Sequence, residues 1–260
     1  MPATTEYAPG TPSWVDLGTP DVEATVAFYG GLFGWEIPES PIADQTGGYR
    51  TATSGGRSVG GVMPLMAPEQ PAVWSSYVSV DDADAIAGAV AEAGGDVIAG
   101  PMDVMDLGKM AMFADPTGAA VGIWQPKAMK GAEVVNEPGS LCWNELHTRD
   151  PDAAAAFYSA VFGWTPAPGE QGGEGYLTFH RADDAPVAGL VDIRGKAPDD
   201  VPAHWLVYFA VDDCDATVAK AAELGGSTVL GPIDIPIGRF AELVDPNGSS
   251  FAVIGISATA

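Results

Sequence analysis

Two carboxylates in this chain stand in the same local setting. Asp16 follows Trp14 by two residues, and Glu145 follows Trp143 by two residues, each in a short β-prone stretch. Side chains two apart on a strand share a face, so each carboxylate is expected beside a tryptophan. A carboxyl facing an apolar cleft is pushed toward its neutral form, which suits a general acid or base. The same carboxyl could instead pair with a buried cation or hydrogen-bond the backbone. His147 continues the face of Glu145, and His204 lies in a second β-prone stretch. Glu145, His147 and His204 are the residue types of a two-histidine, one-carboxylate metal site, although each histidine is also explained as an ordinary hydrogen-bonded side chain. Tyr77 and Tyr208 fall on inward strand positions. With Trp14, Trp124 and Trp143 they form either aromatic walls for a flat, ring-bearing ligand or the filling of a core.

These matched settings belong to an internal repeat. Residues 27–35 read AFYGGLFGW and residues 156–164 read AFYSAVFGW. Val80-Asp81-Asp82-Ala83-Asp84 returns as Val211-Asp212-Asp213-Cys214-Asp215, and Gly100-Pro101 returns as Gly231-Pro232. Ala91-Glu92-Ala93-Gly94-Gly95 returns as Ala222-Glu223-Leu224-Gly225-Gly226, and Asp115-Pro116-Thr117-Gly118 as Asp245-Pro246-Asn247-Gly248. The offsets all lie between 129 and 131 residues, in one order. The period is too long for a solenoid, so each copy is expected to be a domain with its own core. The domains are expected over residues 1–130 and 139–260, with a linker near Pro126–Gly139.

Within a copy, Ser13–Gly18 predicts a strand, and Asp21 caps a helix with Val22, Val26, Tyr29 and Phe33 on one face and Gly34 at its end. Asp150-Pro151 starts the equivalent helix, proline being suited to the first helical position. Strands are expected around Trp35–Glu39, Gly48–Ser54 and Arg57–Leu65. A second round follows: strand Val73–Val80, helix Asp82–Ala93, and strands near Asp96–Ala99, Lys109–Ala114 and Ala119–Gln125. The fold class is α+β, two βαβββ modules per copy.

The A-x-F-Y-x-x-x-F-G-W helix end, the V-D-D-x-D junction, the x-E-x-G-G helix end and the D-P-x-G turn together resemble the vicinal oxygen chelate superfamily. That superfamily holds glyoxalase I, bleomycin-binding resistance proteins and extradiol dioxygenases. The resemblance is closer to tandem actinobacterial members labelled glyoxalase-like or hydroxylase, some encoded with aromatic polyketide pathways. It implies paired βαβββ modules forming an incomplete barrel around a cleft. It also implies, for metal-dependent members, ligands on the first strand of each module and on the last. Those places hold Trp14, Ser75 and Gly122 in copy one and Trp143, Leu206 and Ala252 in copy two; the remaining slot falls near Gly60–Met63 and Gly189–Asp192. The usual metal ligands are therefore not retained, and no cofactor is expected, leaving a displaced divalent site as the alternative. Single-domain members commonly dimerise, so the resemblance implies a monomeric pseudo-dimer or a weak homodimer.

Charge narrows the partners. Asp and Glu number 35 against 11 Lys and Arg, a net charge of −24. Such a surface repels phosphate backbones and anionic lipid, so neither nucleic acid nor membrane is an expected partner. No apolar run nears the ~20 residues that span a bilayer, and MPATTEYAPGTPSW is unlike a signal peptide, so a cytoplasmic location is expected. Cys142 and Cys214 have no metal-type spacing and are expected as free thiols. Lys109 and Arg239, at matched places, either clamp an anionic group or guard an edge strand. The expected function is binding of a small aromatic or oxygen-rich molecule, with Asp16, Glu145 and His147 as candidate metal-independent acid/base groups. Trp14, Tyr77, Trp124, Trp143, His204 and Tyr208 are the candidate ligand contacts. Binder and enzyme remain open here, as does a metal-dependent lyase or dioxygenase. Copy two, with more ionisable groups, is the favoured copy.

Overall fold

The computed structural model describes residues 6–169 and 175–256. Copy one runs β1 (Pro12–Thr19), α1 (Val22–Phe33), a short α2 (Ala43–Thr46), β2 (Arg50–Ser54), β3 (Arg57–Pro64), β4 (Val73–Ser79), α3 (Ala83–Glu92), β5 (Asp96–Val104), β6 (Gly108–Ala114) and β7 (Ala120–Pro126). Copy two runs β8 (Leu141–Thr148), α4 (Pro151–Phe162), β9 (Thr165–Pro168), β10 (Leu177–His180), β11 (Pro186–Asp192), β12 (His204–Ala210), α5 (Cys214–Glu223), β13 (Ser227–Ile235), β14 (Gly238–Val244) and β15 (Ser250–Ile256). Helix starts are made by aspartates: Asp21 accepts from the Ala24 amide, and Asp150 from Ala153 ahead of Pro151. Gly34 and Gly163 close α1 and α4 in the left-handed region, at φ 72° and 68°. The strand expected over Trp35–Glu39 is reduced to a single bridge between Glu36 and Thr53, whereas its counterpart β9 is a true strand.

Each copy builds one mixed sheet that does not close into a barrel. The orders are β2-β3-β1-β4-β7-β6-β5 and β13-β14-β15-β12-β8-β11-β10-β9. The first strands of the two modules pair antiparallel at the centre, β1 with β4 and β8 with β12. This is the expected α+β fold of two tandem copies, each with paired βαβββ modules. Asp16 pairs with Ser75 on one side and Gly61 on the other, and Glu145 with Leu206 and Gly189.

The expectation that each copy has its own core is corrected. One large apolar cluster joins Val15, Phe28, Tyr29 and Trp35 of copy one to Phe209, Leu243 and Phe251 of copy two. The other joins Val90, Phe113 and Ile123 to Phe157, Trp164 and Phe179. The reason is that each helix must bury its apolar face against a further layer, and residues of the other copy form part of that layer. The repeated motifs complete this join. Tyr29 of the first AFY donates to Asp245 Oδ2 of the second D-P-x-G turn at 3.2 Å, and Trp74 Nε1 donates to Tyr29 at 2.9 Å. The mirror pair is Tyr158 to Asp115 at 2.9 Å, with Trp205 Nε1 on Tyr158 at 2.9 Å. Buried hydrogen bonds to a carboxylate each contribute about 1.5–3 kcal/mol.

The segment after β7, where the linker is expected, packs back on copy one. Ala132 is buried and donates its amide to the Ser13 carbonyl at 2.8 Å, while Tyr7 donates to the Ala132 carbonyl at 2.7 Å. Gly131 permits this, since a β-carbon there would meet the Ser13 carbonyl. Among the described residues no helix is long and apolar enough to cross a membrane.

Candidate functional site

Strand alternation sorts β1 cleanly. Val15 and Leu17 enter the helix-side core, so Trp14 and Asp16 face the other way. On β8, Leu146 points to the helix side, and Trp143, Glu145 and His147 share the opposite face. The two sheets thus present equivalent helix-free faces, site one and site two.

At site one Asp16 is 5% exposed. Tyr49, just before β2, donates to Asp16 Oδ2 at 3.4 Å, and Trp14 Nε1 donates to the Tyr49 hydroxyl at 2.8 Å. The Tyr77 hydroxyl on β4 is a further donor to Asp16. Burial pushes the Asp16 carboxyl up to about 7, against the pull of Tyr77 and Tyr49. The phenols of Tyr49 and Tyr77 are raised well above their ordinary value, first by burial and then by the Asp16 charge. Trp124 joins Trp14 and Tyr77 in one apolar cluster and donates to the Met129 carbonyl at 2.9 Å. Met129, Leu107 and Val104 pack over that cluster.

Site two repeats this arrangement and adds to it. Trp143 Nε1 donates to the Tyr176 hydroxyl at 3.0 Å, and Tyr176 and Tyr208 both donate to Glu145, Tyr208 at 3.1 Å. Glu145 is 8% exposed. His147 Nε2 lies 2.9 Å from the same Glu145 Oε1, and its ring centroid is 4.9 Å from that of His204. His204 Nδ1 is 2.9 Å from the Pro202 carbonyl, and burial lowers its pKa, helped by the neighbouring His147. Trp143 is half-buried, whereas Trp14 is buried. Every candidate named from the sequence therefore sits on one of the two faces: Trp14, Asp16, Tyr77 and Trp124 at site one, and Trp143, Glu145, His147, His204 and Tyr208 at site two.

Three participants have no signal in the offsets. Tyr49 and Tyr176 follow glycines in matched Gly-Tyr pairs, 127 residues apart, so a two-residue difference in loop length takes them out of register with the repeat. Glu242 on β14 has Met112 as its counterpart. Lys109 and Arg239 do not reach either face; they bind Asp84 and the Asp215–Asp234 pair at the surface.

The donor set does not fit a divalent ion at the superfamily's usual places. Trp14 and Trp143 offer no lone pair, and their indole N–H groups are committed to tyrosines. On β3 and β11 the facing residues are Gly61 and Gly189, and a β-carbon at either would fall on the Tyr49 or Tyr176 hydroxyl. A phenol thus fills the space that a ligand from that strand would need. Asp192 is taken by Arg194 at 2.6 Å. Among the described residues no group of three or more His, Cys, Asp or Glu could hold a metal ion.

A family model described as "Glyoxalase/Bleomycin resistance protein/Dioxygenase superfamily" matches residues 11–123, and one described as "Glyoxalase-like domain" matches residues 141–254. The chain is 47% identical over 259 residues to the Mycobacterium tuberculosis protein named "Putative glyoxylase CFP32", covering 98% of each. It is 45% identical over 265 residues to "Anthracycline biosynthesis protein DauV" of Streptomyces sp., covering 96% of this chain and 94% of that protein. Among solved structures, the Mn(II)-bound glyoxalase from Novosphingobium aromaticivorans has a TM-score of 0.64 at 18% identity, covering 95% of this chain and 82% of that one. The 2,3-dioxygenase LapB from Pseudomonas sp. KL28 has a TM-score of 0.63 at 14% identity, covering 98% and 93%. The structures share the fold. With family models on both halves and relatives of 45–47% identity over nearly its whole length, the chain belongs to the glyoxalase/bleomycin resistance protein/dioxygenase superfamily, as a tandem pair of its domains.

Proposed function

We propose that this protein binds a small, ring-bearing carbonyl compound at site two and moves a proton on it, with Glu145 as the base. The observation that carries this reading is the Glu145 cluster: a buried carboxylate with two phenols and an imidazole on it, beside a half-buried tryptophan. Phenol and imidazole donors hold the carboxylate in one orientation, and Trp143, Tyr208 and Phe240 supply flat apolar contact. A polar group set in such a wall is the common composition of a small-molecule site. Relatives named for a glyoxylase and for anthracycline biosynthesis support a carbonyl substrate and an aromatic one, respectively. The proton steps use only this chain's own residues. The protein acts as a monomer, because its shared cores already join two copies as two subunits would be joined.

The test is a titration of tryptophan fluorescence of the full chain with 1,8-dihydroxyanthraquinone in the presence of EDTA. Saturable quenching at one equivalent is expected, weakened about tenfold or more by Trp143→Ala and little changed by Trp14→Ala. Absence of saturable binding, or binding that returns only with added divalent metal, would overturn the reading.

A further inference from the structure

Met112 and Glu242 occupy the same place in the two sheets. Met112 pairs with Gly122 and Glu242 with Ala252, and those residues pair in turn with Tyr77 and Tyr208. Phe240, two residues before Glu242, packs at 6.2 Å ring to ring against Tyr208. Alternation therefore turns Glu242 to the site-two face, across β15 and β12 from Glu145. Ala252 between them carries only a methyl group, and Tyr208 beside it bonds Glu145. Glu242 is half-buried, and among the described residues no side chain hydrogen-bonds it or pairs with it. The groups facing it are Glu145 and His147 from β8, and Tyr208 from β12; Tyr176 beside β10 is already bound to Glu145. Burial raises the Glu242 carboxyl, the Glu145 charge adds to the rise, and His147 opposes it.

We propose that Glu242 is a second catalytic carboxyl of site two, the acid to Glu145's base, and that the pair interconverts the keto and enol forms of a flat carbonyl compound. The inference rests on the reading of Glu145 given above. Glu145 takes a proton from the carbon next to the carbonyl. That C–H pair becomes the C=C bond, the C=O π pair goes to oxygen, and the Glu242 O–H proton transfers there. The enol leaves neutral, with Glu145 protonated and Glu242 ionised. Glu145 then loses its proton through His147 to water, and Glu242 regains one from water. No oxidant or reductant takes part. Site one has a methionine where this acid would stand, so its carboxylate has no partner across the face.

The test is deuterium wash-in at the α-carbon of 2-tetralone in D2O, followed by proton NMR with the full chain and EDTA. Wild type is expected to accelerate exchange. Glu242→Gln is expected to lower kcat about tenfold or more while 2-tetralone binding, read by tryptophan fluorescence, stays within about twofold. The same variant should abolish the fall in rate at high pH that marks loss of the acid's proton, and Glu242→Asp should restore part of the rate. If Glu242→Gln matches wild type in rate and pH profile, the Glu242 assignment falls and the Glu145 reading stands. If wild type is inert, or Glu145→Gln is as fast as wild type, both fall.

Discussion

Site one and site two hold the same hydrogen-bonded core of tryptophan, two tyrosines and a carboxylate, on equivalent strands of two copies of one fold. Their surroundings differ. At site one Leu107 and Val104 pack over the apolar cluster as Ile237 and Ile235 do at site two, Met129 adds to that cover, and the next residues on the face are Gly18, Val73 and Met112. At site two the corresponding positions carry His147, His204 and Glu242, and Trp143 remains half-exposed. Duplication has kept the device that orients a carboxylate, while divergence has altered its access and the proton donors near it. A buried carboxyl with only phenols and an indole about it is a structural element; the same carboxyl with an imidazole and a second carboxyl is equipped for turnover.

The comparison breaks most directly on activity. Glu145→Gln should slow 2-tetralone exchange about a thousandfold, some 4 kcal/mol of barrier, whereas Asp16→Asn should leave the rate within about twofold. Equal losses in the two variants would erase the distinction between the sites.

Stability against pH sharpens the other side. The folded pKa of Asp16, about 7, lies above its unfolded value of 3.8, so the native state holds this proton more tightly. Its contribution is fully present below about pH 4 and is lost as pH rises through 7. Denaturant unfolding should therefore find Asp16→Asn more stable than wild type by about 4 kcal/mol at pH 8, with no such gain at pH 4.

Alanine at Gly61 or at Gly189 drives a β-carbon into the tyrosine hydroxyl facing it. Each should cost about 2 kcal/mol in thermal or denaturant unfolding, and only Gly189→Ala should also slow exchange. The smallest effect is expected from Met129→Ala. Trimming this half-buried cover should cost about 1 kcal/mol and let a second, weaker equivalent of 1,8-dihydroxyanthraquinone bind. Unchanged stoichiometry would show that the cover does not control access to site one.

Much of both sites was legible in the sequence because it lies within single strands. Period-two alternation places Trp14 with Asp16, and Trp143 with Glu145 and His147, with no long-range information. Tyr49 and Tyr176 were not legible as site residues, since they enter from loops of unequal length and meet their carboxylates only when β2 and β10 dock. Glu242 carried no repeat signal, and its relation to Glu145 exists only through the pairing of β14, β15, β12 and β8. The AFY and D-P-x-G motifs were visible as repeats, but their role as clasps between copies was not, because Tyr29 and Asp245 are 216 residues apart.

By itself, then, the sequence determined the duplication, the elements of each module and the face on which each strand residue lies, all of which follow from local spacing and capping. The tertiary structure alone decided that the cores are shared, that the segment after β7 packs across site one, and that phenols stand where ligands from β3 and β11 would need room. Those outcomes depend on which distant surfaces meet once apolar area is buried, and no periodicity within one strand or helix encodes that choice.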